Sequence, residues 1–272
     1  MELTLALFIA VLFISLFCQY FSTSIGIGYG TILTPLLLIL GFLPLQVVPA
    51  VLASQFVGGA ISGLAHHQAG NITLDFKRDD RVKKRLRGLG YMPRSIDSKV
   101  IFVLASCGII GVLIGVFVAV NIPQLALETY IGIMVLGIGL AIILRRSHNS
   151  TITWKGLITL GLLSAFNKGV SGGGYVPLVT GGQIIFGREP KSSVGSTTVS
   201  VSIVCAVGFL SYLLIKGNIY WLLVAATTIG SVVAAPLAAF TVKKVDPGKL
   251  TLTIGVATVI LGTLTLVKIF VL

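Results

Sequence analysis

Gly169-Val170-Ser171-Gly172-Gly173-Gly174-Tyr175-Val176-Pro177 interrupts a long apolar stretch, and Ser24-Ile25-Gly26-Ile27-Gly28-Tyr29-Gly30, followed by Pro35, does the same in the first half of the chain. Glycine and proline both break helices. At membrane depth, backbone without helix is tolerated only where it is buried in protein or lines a cavity. Two such breaks in corresponding places of two halves are the sequence mark of a transporter's substrate site. The chain therefore reads as a membrane carrier.

Composition supports that class before any further motif is weighed. A mean hydropathy of +1.03, with 55% hydrophobic and 10% charged residues, leaves too little polar surface for a soluble domain. One all-α integral membrane domain over residues 1–272 is expected. Lys and Arg total 20 against 8 acidic residues, a net charge of +12. In a chain this apolar the excess orients helices in the bilayer, and nucleic acid is not expected as a partner. Nine of the 20 basic residues lie between Lys77 and Lys99, interleaved with Asp79, Asp80 and Asp97 and preceded by Asp75. The segment 66–99 thus reads as one solvated cytoplasmic loop within reach of anionic membrane lipid. Cys18, Cys107 and Cys205 stand alone in apolar stretches, with no spacing for a disulfide framework or a metal site. Glu2 replaces the basic flank of a signal peptide, so residues 3–21 are expected to stay as a helix.

Ten apolar segments follow one another at about 3–23, 31–42, 45–65, 100–120, 125–144, 153–168, 175–186, 193–215, 219–241 and 249–271. Those at 31–42 and 175–186 are too short for a core about 30 Å thick, and each directly follows a glycine cluster. Superposing the halves sets Gly26, Gly28 and Gly30 against Val170, Gly172 and Gly174, Pro44 against Pro190, Ser54 against Ser200, and Gly70-Asn71-Ile72 against Gly217-Asn218-Ile219. Two repeats are expected, over 1–145 and 153–272. The basic loop 66–99 and the group Arg145, Arg146 and Lys155 belong inside, and the uncharged link 121–124 outside. If the short segment 175–186 crosses with its partner, Arg188, Lys191, Lys243, Lys244 and Lys249 fall inside. If it turns back, they fall outside. Crossing is favoured, giving five segments per half, inverted repeats and both termini outside.

The chemistry is expected where the helices break. An interrupted helix exposes amide groups at the start of the next half-helix, where the dipole favours negative charge, and glycine lets a ligand approach the backbone. Lys168 stands just before the second break, and an ionisable side chain at membrane depth is a functional hypothesis unless it snorkels to the interface. Asn167 and Ser171 add neutral donors or cap the half-helix near Tyr175. Ser193, Ser196, Thr197 and Ser200 share one helical face, lining the path or packing helix against helix. The aligned first-half positions Val47, Ala50, Val51 and Ser54 keep polarity only at Ser54, beside Gln55, so an asymmetric site is expected. His66 and His67 lack carboxylate or cysteine partners and read as interfacial residues. Trp154, Tyr220 and Trp221 read as interface anchors.

Gly169-Val170-Ser171-Gly172 resembles the GxSG nucleophile motif of rhomboid intramembrane proteases. In that family the base is a histidine after the serine, whereas His66, His67 and His148 all precede Ser171. An enzyme is therefore not expected. An anion channel remains the alternative to a carrier, since both can use broken helices.

Gly26-Ile-Gly-Tyr-Gly-Thr-Ile-Leu-Thr-Pro35 and Gly169-Val-Ser-Gly-Gly-Gly-Tyr-Val-Pro177, with the central basic loop and the chain length, resemble the TauE/SafE family of sulfite-exporter-like permeases. The resemblance implies transport of small sulfur-containing anions such as sulfite or sulfonates, driven by an ion gradient of protons or sodium and without a cofactor. Tyr29 departs from the family pattern, in which glycine is usual, and is expected to narrow the approach to the first break. Together these lines place a small oxyanion between amides around Gly26, Gly28, Gly30 and Thr31 and those around Gly172, Gly173, Gly174 and Tyr175. Lys168 supplies charge, and Asn167, Ser171, Ser193, Thr197, Ser54 and Gln55 supply polar contacts. The absence of a GxxxxGK[ST] loop argues only against self-powered transport.

Overall fold

The computed structural model describes residues 4–26, 28–78, 91–144 and 153–241, together with 256, 259, 260, 262–268 and 270. Helix α1 (Leu5–Ile25) starts at Thr4, whose hydroxyl accepts the Leu7 amide, and stops at Gly26 with φ of 78°. The short α2 (Tyr29–Ile39) follows, then α3 (Pro44–Gln68), which opens on a proline at a position where the missing N–H costs nothing. A small antiparallel hairpin, β1 (Phe76–Arg78) with β2 (Tyr91–Pro93), forms the described part of the basic loop. Next come α4 (Ile96–Asn121), capped by the Ser95 hydroxyl, and α5 (Gln124–Leu144). The second half repeats the pattern with α6 (Trp154–Ser171), the short α7 (Tyr175–Ile185), α8 (Pro190–Lys216) and α9 (Trp221–Thr241). Residues 262–268 are helical as well.

Three boundaries differ from the sequence reading. The expected loop 66–99 is helical up to Gln68 and again from Ile96. Helix α6 continues through Ser171, so Gly169, Val170 and Ser171, assigned to the second break, lie in its last turn with Lys168. Helix α2 begins at Tyr29, inside the cluster assigned to the break. Much of the expected segment 249–271 lies outside the described residues.

This is an all-α membrane protein, and five of the helices are long and apolar enough to cross a bilayer: Leu5–Ser24 of α1, α3, α4, α8, and Trp221–Phe240 of α9. Its polarity is turned outside in. Phe13, Phe17, Ile110, Phe117, Leu210, Leu237 and Phe240 face outward, while Ser54, Ser62, Ser164, Ser196, Ser200, Thr227 and Ser231 are buried. Lipid is as apolar as leucine, so close packing and internal polar contacts hold such helices together. Gly111 and Gly115 of α4 meet the carbonyls of Leu162 and Phe166 on α6, and Gly230 of α9 meets that of Leu12 on α1; a Cβ at any of them would stand 2.2 to 2.4 Å from oxygen.

The halves exchange partners. Helix α4 packs on α6 and α8 of the second half, whereas α9 packs on α1 and α3 of the first, and α3 and α8 meet between them. The two short helices leave the centre in opposite directions. The end of α7 is tied by an Arg188–Asp97 ion pair to the start of α4, beside the basic hairpin. The end of α2 meets Lys268, whose Nζ donates to the Leu38 carbonyl at 2.5 Å, and Phe42 packs on Tyr220 at 6.3 Å between ring centroids. Arg188 thus lies on the same face as the start of α4 and the basic hairpin. With 11 residues each, α2 and α7 rise only about 16 Å, half the bilayer core.

Candidate functional site

The two breaks share one backbone design. Gly26 (φ 78°) ends α1 and Gly28 (φ 101°) precedes α2; Gly172 (φ 71°) ends α6 and Gly174 (φ 80°) precedes α7. Residues with side chains rarely adopt these left-handed angles, so glycine is required at all four. The matching pairs are Gly26 with Gly172, Gly28 with Gly174 and Tyr29 with Tyr175, a constant offset of 146 residues that also joins Pro44 to Pro190 and Ser54 to Ser200. The sequence superposition of Gly26, Gly28 and Gly30 on Val170, Gly172 and Gly174 was thus two residues out of step.

The aromatic pair confirms the corrected register. Tyr29 and Tyr175 are both fully buried; the Tyr29 hydroxyl donates to Ser54 at 2.9 Å, and that of Tyr175 to Ser200 at 3.2 Å. Tyr29 therefore does not narrow the first break. Its hydroxyl reaches toward α1 and α9, within 2.8 Å of Ser15 Oγ and 3.3 Å of the Thr227 carbonyl.

The breaks touch each other. A Cβ on Gly30 would lie 1.7 Å from the Gly172 carbonyl oxygen, one on Gly28 would lie 2.8 Å from Pro177 Cδ, and one on Gly173 would lie 3.1 Å from the Gly30 carbonyl oxygen. The Gly174 amide donates to Thr31 Oγ1 at 3.2 Å, linking the start of α7 to the start of α2. Neither short helix has a side-chain cap at its N-terminus. Two positive helix ends thus face each other across a packed crossing.

Lys168 reaches that crossing from α6. Its side chain is 1% exposed, so it does not snorkel; Nζ donates to Gln55 Oε1 of α3 and to the Gly172 carbonyl at 2.5 Å. Both partners are neutral. Among the described residues the ion pair is Arg188 with Asp97, and no carboxylate balances Lys168. Burying an unpaired ammonium costs on the order of several kcal/mol, a cost that an anion at the same place would offset.

The remaining expected site residues divide into those at the crossing and those drawn elsewhere. Ser171 accepts the Gly173 amide at 3.1 Å and donates to the Asn167 carbonyl at 2.7 Å, so it braces the break as a cap. The Asn167 side chain accepts the Tyr130 hydroxyl of α5. Ser54 serves Tyr29. Thr197 accepts from Gln183 Nε2 at 2.8 Å, and Ser193 donates to the Glu189 carbonyl at 2.9 Å, so both lie along α7 on the side of the basic hairpin.

There they join a network that sequence reading did not find. Arg188 donates to Gln183 at 2.5 Å, to Ser196 at 3.2 Å and to Asp97, which also accepts the Thr73 amide at 2.9 Å. Burial lowers the Arg188 pKa from its ordinary value, and the adjacent Asp97 works against that shift. A second missed cluster joins Gln19, Thr23 and Ser62, with Gln19 Nε2 donating to Thr23 at 3.0 Å and to Ser62 at 3.3 Å. Neither had a signal beyond single polar residues in apolar segments. His66, expected at the interface, is fully buried within 3.0 Å of Asn71 Nδ2, whereas His67 is exposed.

A surface concavity of about 230 Å³ lies away from the crossing, at the outer end of α2 between Leu38, Phe42, Gln124, Glu128 and Lys268. The crossing itself is closed.

Comparison with known proteins gives the family. The probable membrane transporter protein YtnM of Bacillus subtilis (strain 168) is 25% identical over 270 residues, covering 94% of this chain and 81% of the relative. No solved structure matches. The family described as sulfite exporter TauE/SafE matches residues 87–265, which include the second break, Lys168 and the α7–α8 network. The chain belongs to the TauE/SafE family of membrane transporters.

Proposed function

We propose that this protein is a secondary carrier that moves a small sulfur-containing oxyanion, such as sulfite or a sulfonate, across the cell membrane. The loop 66–99 is cytoplasmic, and the two halves, 1–145 and 153–272, work as inverted repeats. One observation carries the reading: Lys168, an ammonium without a carboxylate, lies where two uncapped helix N-termini meet. Fixed charge and two helix dipoles both favour an anion there. The packed contact of Gly30 on Gly172 supports a carrier that opens alternately over a channel with a standing pore. Nothing in the site resembles hydrolytic chemistry: Ser171 donates to a backbone carbonyl, and His66 and His67 sit in the last turn of α3. A proton or sodium gradient supplies the drive, in keeping with the family resemblance.

The test is uptake of labelled sulfite by protein reconstituted in liposomes, with and without a proton gradient, comparing wild type with Lys168→Met. Saturable, gradient-dependent uptake that the variant loses is the expected result. Equal uptake by the variant would remove Lys168 from the site, and linear, unsaturable flux would make the protein a channel.

A further inference from the structure

Buried serine and threonine hydroxyls in these helices have a usual partner, the carbonyl four residues back in the same helix. Ser54 donates to Ala50 at 2.8 Å, Thr198 to Val194 at 2.8 Å and Thr227 to Leu223 at 2.8 Å. Thr34 of α2, Ser164 of α6 and Thr180 of α7 have none: they are 1%, 1% and 3% exposed, and among the described residues their hydroxyls are without a hydrogen-bond partner. A buried polar group without a partner is a net cost to the fold, and native proteins keep few of them.

Two of the three, Thr34 and Thr180, are related. Thr34 and Thr180 stand 146 residues apart, the same offset that superposes the breaks. Each lies against the left-handed glycine of the other half: a Cβ on Gly172 would stand 3.0 Å from Thr34 Oγ1, and one on Gly26 would stand 3.3 Å from Thr180 Oγ1. Thr34 is three residues beyond Thr31 and Thr180 three beyond Pro177, so each is about 4.5 Å from the crossing along its own helix. Because α2 and α7 run apart, Thr34 lies toward the face of Gln124 and Lys268, and Thr180 toward the face of the basic hairpin.

We propose that Thr34 and Thr180 are two ligand stations, one on each side of the closed crossing, whose hydroxyls donate in turn to oxygens of the transported anion. The inference rests on the anion-carrier reading above and adds where the anion pauses. The ligand is an oxyanion rather than a cation, because Gly172, against which Thr34 lies, already holds the Lys168 ammonium on its carbonyl. A hydroxyl unpaired within the protein is a donor held ready for an acceptor that arrives and leaves.

The experiment compares wild type, Thr34→Val, Thr180→Val and the two serine variants in liposomes, measuring KM for labelled sulfite and sulfoacetate in influx and efflux, and melting temperature in detergent. Valine matches threonine in shape and removes only the hydroxyl. Each valine variant should raise KM roughly 10- to 100-fold, the effect of one hydrogen bond to a charged group. The serine variants should stay within a few-fold of wild type, and the valine variants should melt no lower than wild type, since they bury no unpaired hydroxyl. Wild-type KM in both valine variants overturns this proposal alone. A lower melting temperature with unchanged KM overturns it too, assigning the hydroxyls to packing. No uptake of either anion by wild type brings down the carrier reading, and this inference with it.

Discussion

The first and second breaks have nearly the same backbone and different side chains. Both end a helix on a left-handed glycine, restart it at a buried tyrosine one glycine later, and bond that tyrosine to a serine 25 residues on. Yet the position held by Lys168 in the second half is Ser22 in the first, and that of Gln55 in the first is Val201 in the second. Their outer ends differ as well: Arg188, ion-paired to Asp97, corresponds to Phe42, packed on Tyr220. In the proposed carrier, the shared backbone would set where a ligand is approached, and the one unshared lysine would set its sign.

The largest effect is expected where the two breaks touch. Gly30→Val and Gly173→Val should both fail to give a folded, monodisperse protein on size-exclusion chromatography, Gly30→Val the more completely, because its Cβ would stand 1.7 Å from a carbonyl oxygen. Recovery of folded Gly30→Val would mean that the crossing can loosen without cost.

Moving the charge sharpens the comparison further. Lys168→Met should lose anion transport by at least about 100-fold while melting no lower than wild type, since an uncompensated buried charge is removed. Adding Ser22→Lys should not restore transport, because Val201 stands where the relocated ammonium would need Gln55. Recovery only when Val201→Gln is also present, read as labelled uptake, would show that either half can hold the anion.

At the outer ends, Arg188→Phe copies the first half into the second. It should cost about 3–5 kcal/mol in thermal unfolding, because Asp97 is left buried without its partner. Replacing Asp97 with Asn in the same chain should return part of that loss, and strict additivity would show that the pair does not couple.

The smallest effect concerns the tyrosines. Tyr29→Phe should lower stability by about 1–2 kcal/mol and Tyr175→Phe by about 1 kcal/mol, since the first hydroxyl has Ser15 and Ser54 as partners and the second only Ser200 among the side-chain bonds described. Equal melting temperatures would erase the distinction.

The breaks could be read from sequence because glycine and proline in an apolar stretch have few other uses, and Lys168 because a lone ammonium at that depth leaves snorkelling as its neutral explanation, which its burial removes. Register was less legible: three glycines spaced by two in the first cluster and three adjacent ones in the second allow two superpositions, and the tyrosines resolve it only once their serines are seen. Thr34 and Thr180 carried no signal, since most buried helical hydroxyls bond their own backbone. Ser193 and Thr197 shared the expected helical face, but that face meets Gln183 of α7 rather than the glycines, a fact of helix pairing that periodicity does not contain. The hairpin at 76–78 and 91–93 was hidden by charge, which reads as loop whatever the backbone does.

The exchange of partners between halves has a consequence for synthesis. Helix α1 leaves the ribosome well before α9, with Ser15 and Gln19 along its length, yet the helix that covers Ser15 and the Tyr29 hydroxyl is α9, made some 200 residues later. Until then the first half can lie in the bilayer but cannot close. Helix α4 likewise waits for α6 and α8. A chain truncated before α9 should therefore leave α1 and α3 with their polar and glycine faces turned to lipid, a substrate for membrane quality control rather than a half-transporter.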